Sequence, residues 1–141
     1  MPAKELLLDR VHAAVARVLE HAPEVAVCYA YGSRVHGRVL PLSDLDLAFL
    51  LARDAPHDDP LLAERLTARI GAMLETEVEI DGHIAEDLPL SLQGRIVTTG
   101  IVLFDRDPSR RVEFETTVRR LYFDFLPLLD RDAREGLRTG G

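Results

Sequence analysis

The sequence predicts one α/β (or α+β) domain in which helices flank a small mixed β-sheet. Apolar residues recur with helical spacing in segments 4–21, 61–74 and 108–129, and strand-like runs lie between these segments. The length of 141 residues and the 47% apolar content fit a single hydrophobic core. We expect residues 1–129 to form the domain and the charged residues 130–141 to form a mobile tail.

In the first half of the chain the pattern predicts a helix and two strands. Residues 4–21 have an apolar face typical of an amphipathic helix, which Pro23 ends. Val25–Tyr31 is a β-branched and aromatic run of strand length, and Gly32 stops it. Leu45–Ala52 is almost entirely apolar, which is typical of a buried strand.

The second half repeats the alternation of helices and strands. Residues 61–74 return to helical spacing, and Glu77–Ala85 alternates between apolar and polar side chains as a strand does. Residues 88–99 are predicted to form a short helix, Ile101–Phe104 a short strand and residues 108–129 a long helix.

The net charge of −7 is confined to the middle of the chain. Residues 44–87 hold 12 acidic and 3 basic side chains, whereas residues 1–43 and 88–141 each have a net charge of +1. A protein that binds nucleic acid nonspecifically needs a basic surface, so this class is not expected.

Other features of the composition predict a cytoplasmic protein. The run Leu47–Ala52 is far shorter than the roughly 20 residues that cross a bilayer. Charged residues near the start leave no apolar signal core, so neither membrane insertion nor export is expected. The single cysteine, Cys28, cannot form an internal disulfide, which fits a reducing compartment.

Two short motifs flank the connection between the first two predicted strands. Gly32-Ser33 ends the first strand, and Asp44-x-Asp46 follows after ten intervening residues, at the start of the next strand. Two aspartates at alternate strand positions point to the same face, where their mutual repulsion favours a hard divalent cation such as Mg²⁺. A Gly-Ser turn permits close approach of phosphate oxygens to backbone amides. Together the motifs indicate nucleotide chemistry.

This spacing resembles the signature of the polymerase-beta-like nucleotidyltransferase superfamily, and the small size resembles its minimal nucleotidyltransferases (MNT). Segments 88–96, 100–104 and 119–125 also resemble later parts of that group. The resemblance therefore implies the nucleotidyltransferase fold.

The superfamily implies a third carboxylate on a neighbouring strand. Asp81 is the preferred candidate because its distance to later landmarks fits the family, with Glu79 as the alternative and Glu77 further out. The family usually has an apolar residue after this aspartate, whereas here Gly82 and His83 follow.

The resemblance assigns roles to five residues. Asp44, Asp46 and Asp81 would be catalytic and would hold two Mg²⁺ ions. The backbone amides of Gly32 and Ser33, with the Ser33 hydroxyl, would orient the phosphates of ATP, the nucleotide donor. AMP would pass to an acceptor hydroxyl, and pyrophosphate would leave.

The chain is barely larger than such a catalytic core, so a macromolecular acceptor is expected. Minimal members are typically paired with HEPN-domain RNase toxins, which implies an antitoxin that AMPylates a tyrosine of its toxin. An antitoxin that blocks its toxin sterically and a transferase for small molecules are the alternatives. No motif identifies the base.

Several other residues are expected to have structural or surface roles. Cys28 and the aromatic residues of the last helix should lie in the core or an interface, and His83 shares the face of Asp81. Four arginines of the last helix alternate with acidic residues and are expected on a solvated face: Arg110, Arg111, Arg119 and Arg120.

Overall fold

The structure, a computed structural model, describes residues 3–32, 45–74 and 79–139. In these ranges the chain forms four α-helices and four β-strands. The helices are α1 (Ala3–Glu20), α2 (Leu62–Leu74), α3 (Leu90–Thr99) and α4 (Pro108–Thr139). The strands are β1 (Val25–Tyr31), β2 (Leu45–Leu51), β3 (Ile80–Ile84) and β4 (Ile101–Asp105), and a short 3₁₀ turn follows β3 at Ala85–Asp87.

The four strands form one mixed sheet in the order β3-β2-β1-β4. β1 is antiparallel to both of its neighbours, β2 and β4, whereas β2 and β3 are parallel. Parallel neighbours need a crossover connection, and α2 lies in that connection. The mixed sheet with flanking helices confirms the predicted fold class.

Both faces of the sheet are covered by helices, which explains why β1 and β2 are apolar along most of their length. α1 and α2 pack on one face, around Val15, Leu19, Cys28, Leu47, Phe49, Leu66 and Ile70. α3 and α4 pack on the other, around Val27, Tyr29, Ala48, Leu50, Ile96, Phe114 and Val118. The one polar residue of β2 is Asp46, which is half-buried on the α3/α4 face.

The predicted elements agree with the observed ones, except near two boundaries. β3 begins at Ile80, and the predicted strand start at Glu77 falls outside the described residues. α4 continues past residue 129 to Thr139, through residues such as Ala133 and Leu137 that favour helix. The segment assigned to a tail is therefore helical up to that point, and the domain boundary at residue 129 stays a prediction.

Candidate active site

Three strand ends meet at one end of the sheet. β1 ends there and β2 and β3 begin there, because β1 and β2 run in opposite directions while β2 and β3 run in the same direction. Tyr31 on β1 is the register partner of Asp46 on β2, and Asp46 is the partner of Asp81 on β3. Register partners share a face, so the three side chains form a row on the α3/α4 face.

Two carboxylates therefore stand side by side in this row. Adjacent strands lie about 4.8 Å apart, so the negative charges of Asp46 and Asp81 repel each other unless a cation lies between them. The Asp81 side chain is 61% exposed, so a ligand can reach it from solvent. Paired carboxylate oxygens open to solvent are a donor set that fits Mg²⁺ with phosphate oxygens as further ligands.

Gly32 brings the backbone up against one of these carboxylates. Its φ is 100°, a conformation that favours glycine. A Cβ at this position would lie 2.7 Å from Oδ2 of Asp46, so any side chain would displace the carboxylate. Only glycine lets the turn after β1 approach Asp46 this closely.

Tyr31 is a buried side chain in the same row as the two carboxylates. Burial raises the pKa of Tyr31 to about 12, and the negative charges of Asp46 and Asp81 add to the rise. The hydroxyl therefore stays protonated near neutral pH and feels both carboxylates. Sequence reasoning treated Tyr31 only as a strand residue, although its position next to the Gly-Ser turn was a usable signal.

His83 contacts the exposed carboxylate. Its Nε2 lies 3.1 Å from Oδ2 of Asp81, and both side chains are partly exposed. The alternation of β3 had placed the two residues on one face, and the structure adds the hydrogen bond between them.

The structure brings together three of the five predicted site residues: Gly32, Asp46 and Asp81. Ser33 and Asp44 lie outside the described residues. Within the described ranges, no group of three or more His, Cys, Asp or Glu side chains is arranged to hold a metal ion.

The register bears on the choice of the third carboxylate. Asp81 lies opposite Asp46, whereas Glu79 precedes β3 and its carbonyl accepts a hydrogen bond from the amide of Leu45, at 2.9 Å. Glu77, the third candidate, falls outside the described residues. The pairing favours Asp81, and its role as a ligand stays a prediction.

Cys28 and Tyr122 have the structural roles expected from the sequence. The Cys28 side chain is fully buried, and burial raises the pKa of its thiol, so it is not poised as a nucleophile. The Tyr122 ring packs against Gly94, where it occupies the space that a Cβ would need. α3 and α4 can pack this closely because residue 94 has no side chain.

The sequence predicted that the arginines at the start of α4 lie on a solvated face, and this was wrong for Arg110 and Arg111. Both are partly buried in ion pairs. Arg110 is partly buried and donates from Nε to the carbonyl of Leu51, at 3.1 Å. Arg111 bridges Asp105, at 2.7 Å, and Glu115, at 3.0 Å. Their acidic partners come from β4, from the 3₁₀ turn after β3 and from α4 itself, and the first two pairings are visible only in the folded chain.

Comparison with protein families identifies the chain. Residues 14–109 match the family model described as polymerase beta nucleotidyltransferase, and this range includes the whole candidate site. The chain belongs to this family. It is therefore a nucleotidyltransferase, as the motif predicted. No curated protein matches the chain.

Solved structures of toxin–antitoxin complexes contain chains with a similar fold. One, described as a toxin–antitoxin with AMP-PNP, has a TM-score of 0.61 at 19% identity and covers 86% of this chain and 98% of its own. The MntA–HepT toxin–antitoxin gives 0.57 at 18% identity, with coverages of 87% and 97%. A third, the tri-AMPylated HEPN toxin of Shewanella oneidensis with its MNT antitoxin, gives 0.54 at 17%, with 92% and 98%. These similarities confirm the nucleotidyltransferase fold.

Proposed function

We propose that this nucleotidyltransferase moves AMP from ATP to the hydroxyl of a partner protein. The supporting observation is the pairing of Asp46 with Asp81 beside the Gly32 turn. Two carboxylates on neighbouring strands, next to a turn that accepts no side chain, suit a nucleotide triphosphate with its cations.

Gly32 and Ser33 would bind the phosphates of ATP. The positive φ of Gly32 turns the chain sharply at the end of β1. Backbone amides at such turns bind phosphate oxygens, and the lack of a Cβ lets a phosphate approach the Asp46 carboxylate. This would hold the triphosphate with its α-phosphorus near the carboxylates.

Asp46 and Asp81, with Asp44, would hold divalent cations. When bound, two such cations neutralise charge on the attacking and leaving oxygens of an in-line displacement. The acceptor oxygen bonds to the α-phosphorus, the bond to pyrophosphate breaks, and the hydroxyl proton passes to solvent water. Asp81 is the more exposed carboxylate of the described pair, so we assign it to the acceptor side.

A protein acceptor is supported by the surface of α4 and by the similar structures. Beyond its contact with α3, this helix carries exposed apolar side chains at helical spacing: Leu121, Phe125 and Leu128. Exposed apolar patches mark protein interfaces. The structurally similar MNT antitoxin is bound to an AMPylated HEPN toxin. We therefore propose a tyrosine of a HEPN toxin as the acceptor.

Steric neutralisation is the second candidate, because the same apolar surface of α4 could bind a toxin without chemistry. The two are separated by incubating the chain with α-labelled ATP, Mg²⁺ and its candidate HEPN partner, and comparing wild type with D44N/D46N. Label on the partner with wild type alone supports transfer. No transfer by wild type, with neutralisation retained by the double mutant, supports steric binding. Label on a small molecule, in a screen of acceptors without the partner protein, would show instead that the chain modifies small molecules.

A further inference from the structure

Among the described residues, two His–Asp pairs have nearly the same contact distance. His83 Nε2 lies 3.1 Å from Oδ2 of Asp81, and His57 Nε2 lies 3.0 Å from Oδ1 of Asp87. The exposed fractions are also alike, at 43% and 61% in the first pair and 50% and 62% in the second. Exposed ion pairs contribute little to stability. The difference between the pairs is their location.

His83 lies on the functional face of β3. It is two residues from Asp81 on the strand, so the two side chains project from the same face. Its register partner on β2 is Ala48, which follows Asp46 on that face. The imidazole therefore stands directly behind the row of carboxylates. The His57–Asp87 pair, in contrast, joins the loop after β2 to the 3₁₀ turn after β3, at the other end of the sheet.

We propose that His83 is a positioning residue that holds Asp81 ready to bind a cation. This inference rests on the proposed role of Asp81 as a ligand. With a proton on Nε2, His83 donates to Oδ2 of Asp81, which restricts rotation of the carboxylate and leaves Oδ1 for a cation. Groups that hydrogen-bond to a ligating carboxylate orient it and strengthen metal binding. His83 acts through Asp81 and contacts no substrate.

The test compares three variants of the full-length chain. H83L removes the donor and keeps a side chain of moderate size. H83Q restores an N–H on a side chain whose terminal amide can approach Asp81 as Nε2 does. H57L removes the matching donor from the pair outside the site, and is the control for the general effect of losing an exposed His–Asp contact.

The readout is the affinity for Mn²⁺ in the presence of the non-transferable nucleotide AMP-PNP, measured from free Mn²⁺ by electron paramagnetic resonance. We expect H83L to lose about 10–100-fold in Mn²⁺ affinity, the usual effect of removing a partner of a ligand. H83Q should recover most of the affinity, and H57L should bind as wild type does. Thermal unfolding should show both leucine variants folded.

Three results would overturn the proposal: Mn²⁺ affinity unchanged in H83L, an equal loss in H57L, or no Mn²⁺ binding by wild type. Because the measurement needs neither an acceptor nor transfer, it is independent of the proposed AMPylation. If wild type transfers no AMP but H83L binds Mn²⁺ more weakly than H57L, the positioning role stands and the proposed acceptor chemistry fails. If wild type transfers AMP and H83L binds Mn²⁺ normally, only the positioning role fails.

Discussion

The two ends of the sheet differ in what lies beside their carboxylates. At the end where β2 and β3 begin, Asp46 and Asp81 are register partners on neighbouring strands. Among the described side chains Asp81 pairs with His83 and with no arginine or lysine. At the end where β2 and β4 finish, Glu86 and Asp105 each lie beside an arginine, while Asp87 pairs with His57.

At that far end, the side chains of three arginines connect strands and helices by hydrogen bonds. Arg111 joins the carboxylate of Asp105, at the end of β4, to α4. Arg110 links α4 to the last carbonyl of β2 and to Glu86. Arg106 donates to the carbonyls of Ala22, at 2.9 Å, and Val25, at 2.8 Å, and also to that of Leu19.

This difference separates stability from function. Arginine satisfies carbonyls and carboxylates with fixed, directional hydrogen bonds, which fasten helices to the sheet. At the other end a fixed arginine would occupy the place of the cation that we propose arrives and leaves with substrate. We expect substitutions at the first end to lower activity and substitutions at the second to lower stability.

The largest effect is expected for D46N, with D105N as its counterpart at the far end. D46N should lower AMP transfer about 100-fold or more, because it removes a carboxylate that we propose holds the cations that neutralise charge in the transition state. D105N should keep its activity and lose about 1 kcal/mol of unfolding free energy with its bond to Arg111. Label transfer and urea unfolding of both variants measure the two effects. If D105N lost as much activity as D46N, the division between a functional end and a structural end would be wrong.

Next in size is the effect of R106M on stability. Removing the guanidinium removes three hydrogen bonds, although the carbonyls of Leu19 and Ala22 still accept backbone amides, and the loss should cost roughly 2 kcal/mol. R120M is the control, since Arg120 is exposed and has no polar partner among the described residues. Urea unfolding should show a loss for R106M alone, with transfer by the folded fraction unchanged. A loss of activity in folded R106M would contradict the separation of the two ends.

The same substitution at two glycines should have opposite effects. G32A should lose transfer activity and about 1–2 kcal/mol of stability, because alanine is strained at φ 100° and its Cβ would lie 2.7 Å from Asp46. G71A should gain up to about 1 kcal/mol, because Gly71 lies inside α2 with open space where a Cβ would be. Thermal unfolding and label transfer of both variants test this. Normal activity in G32A would show that the close approach to Asp46 is dispensable.

The smallest effect is a pH dependence at the far end. Burial raises the pKa of Glu86, and its bonds to the Leu51 amide and the charge of Arg110 only partly oppose this. A raised pKa in the folded state means that the stabilisation from this group is present below its ordinary value near 4.5 and is lost as the pH rises through the folded value. Wild type should therefore lose stability relative to E86Q as the pH rises above that range. Urea unfolding of both proteins across this pH series measures the difference, and a relative gain by wild type would show that the bonds to Arg110 dominate.

The candidate site could be proposed from the sequence because its signals are local. Asp44-x-Asp46 needs only the two-residue period of a strand, and the Gly-Ser turn needs only its place after an apolar run. The helices and strands were predicted well for the same reason, since periodicity reports the faces that will be buried. The length of α4 was underestimated because its charged end was taken as the sign of a tail, although Ala, Leu, Arg and Glu residues there favour a helix.

Other features depend on which strands become neighbours. Asp81 and Glu79 lie on the same predicted face of β3, so the alternation alone left both open, and only the parallel register sets Asp81 opposite Asp46. Tyr31 joins the site through its antiparallel pairing with Asp46. The sequence predicts a solvated Arg111, because its contact with Asp105 at the end of β4 forms only in the folded chain.

The sequence by itself determined the fold class and the family, and it predicted the chemistry of the motif, because each depends on residues close together in the chain. The tertiary structure decided which residues face one another across strands, and so which carboxylates stand together and which are paired with arginine. These pairings join residues far apart in sequence, and the free energy that fixes them comes from burying both faces of the sheet under four helices. No local pattern contains that information.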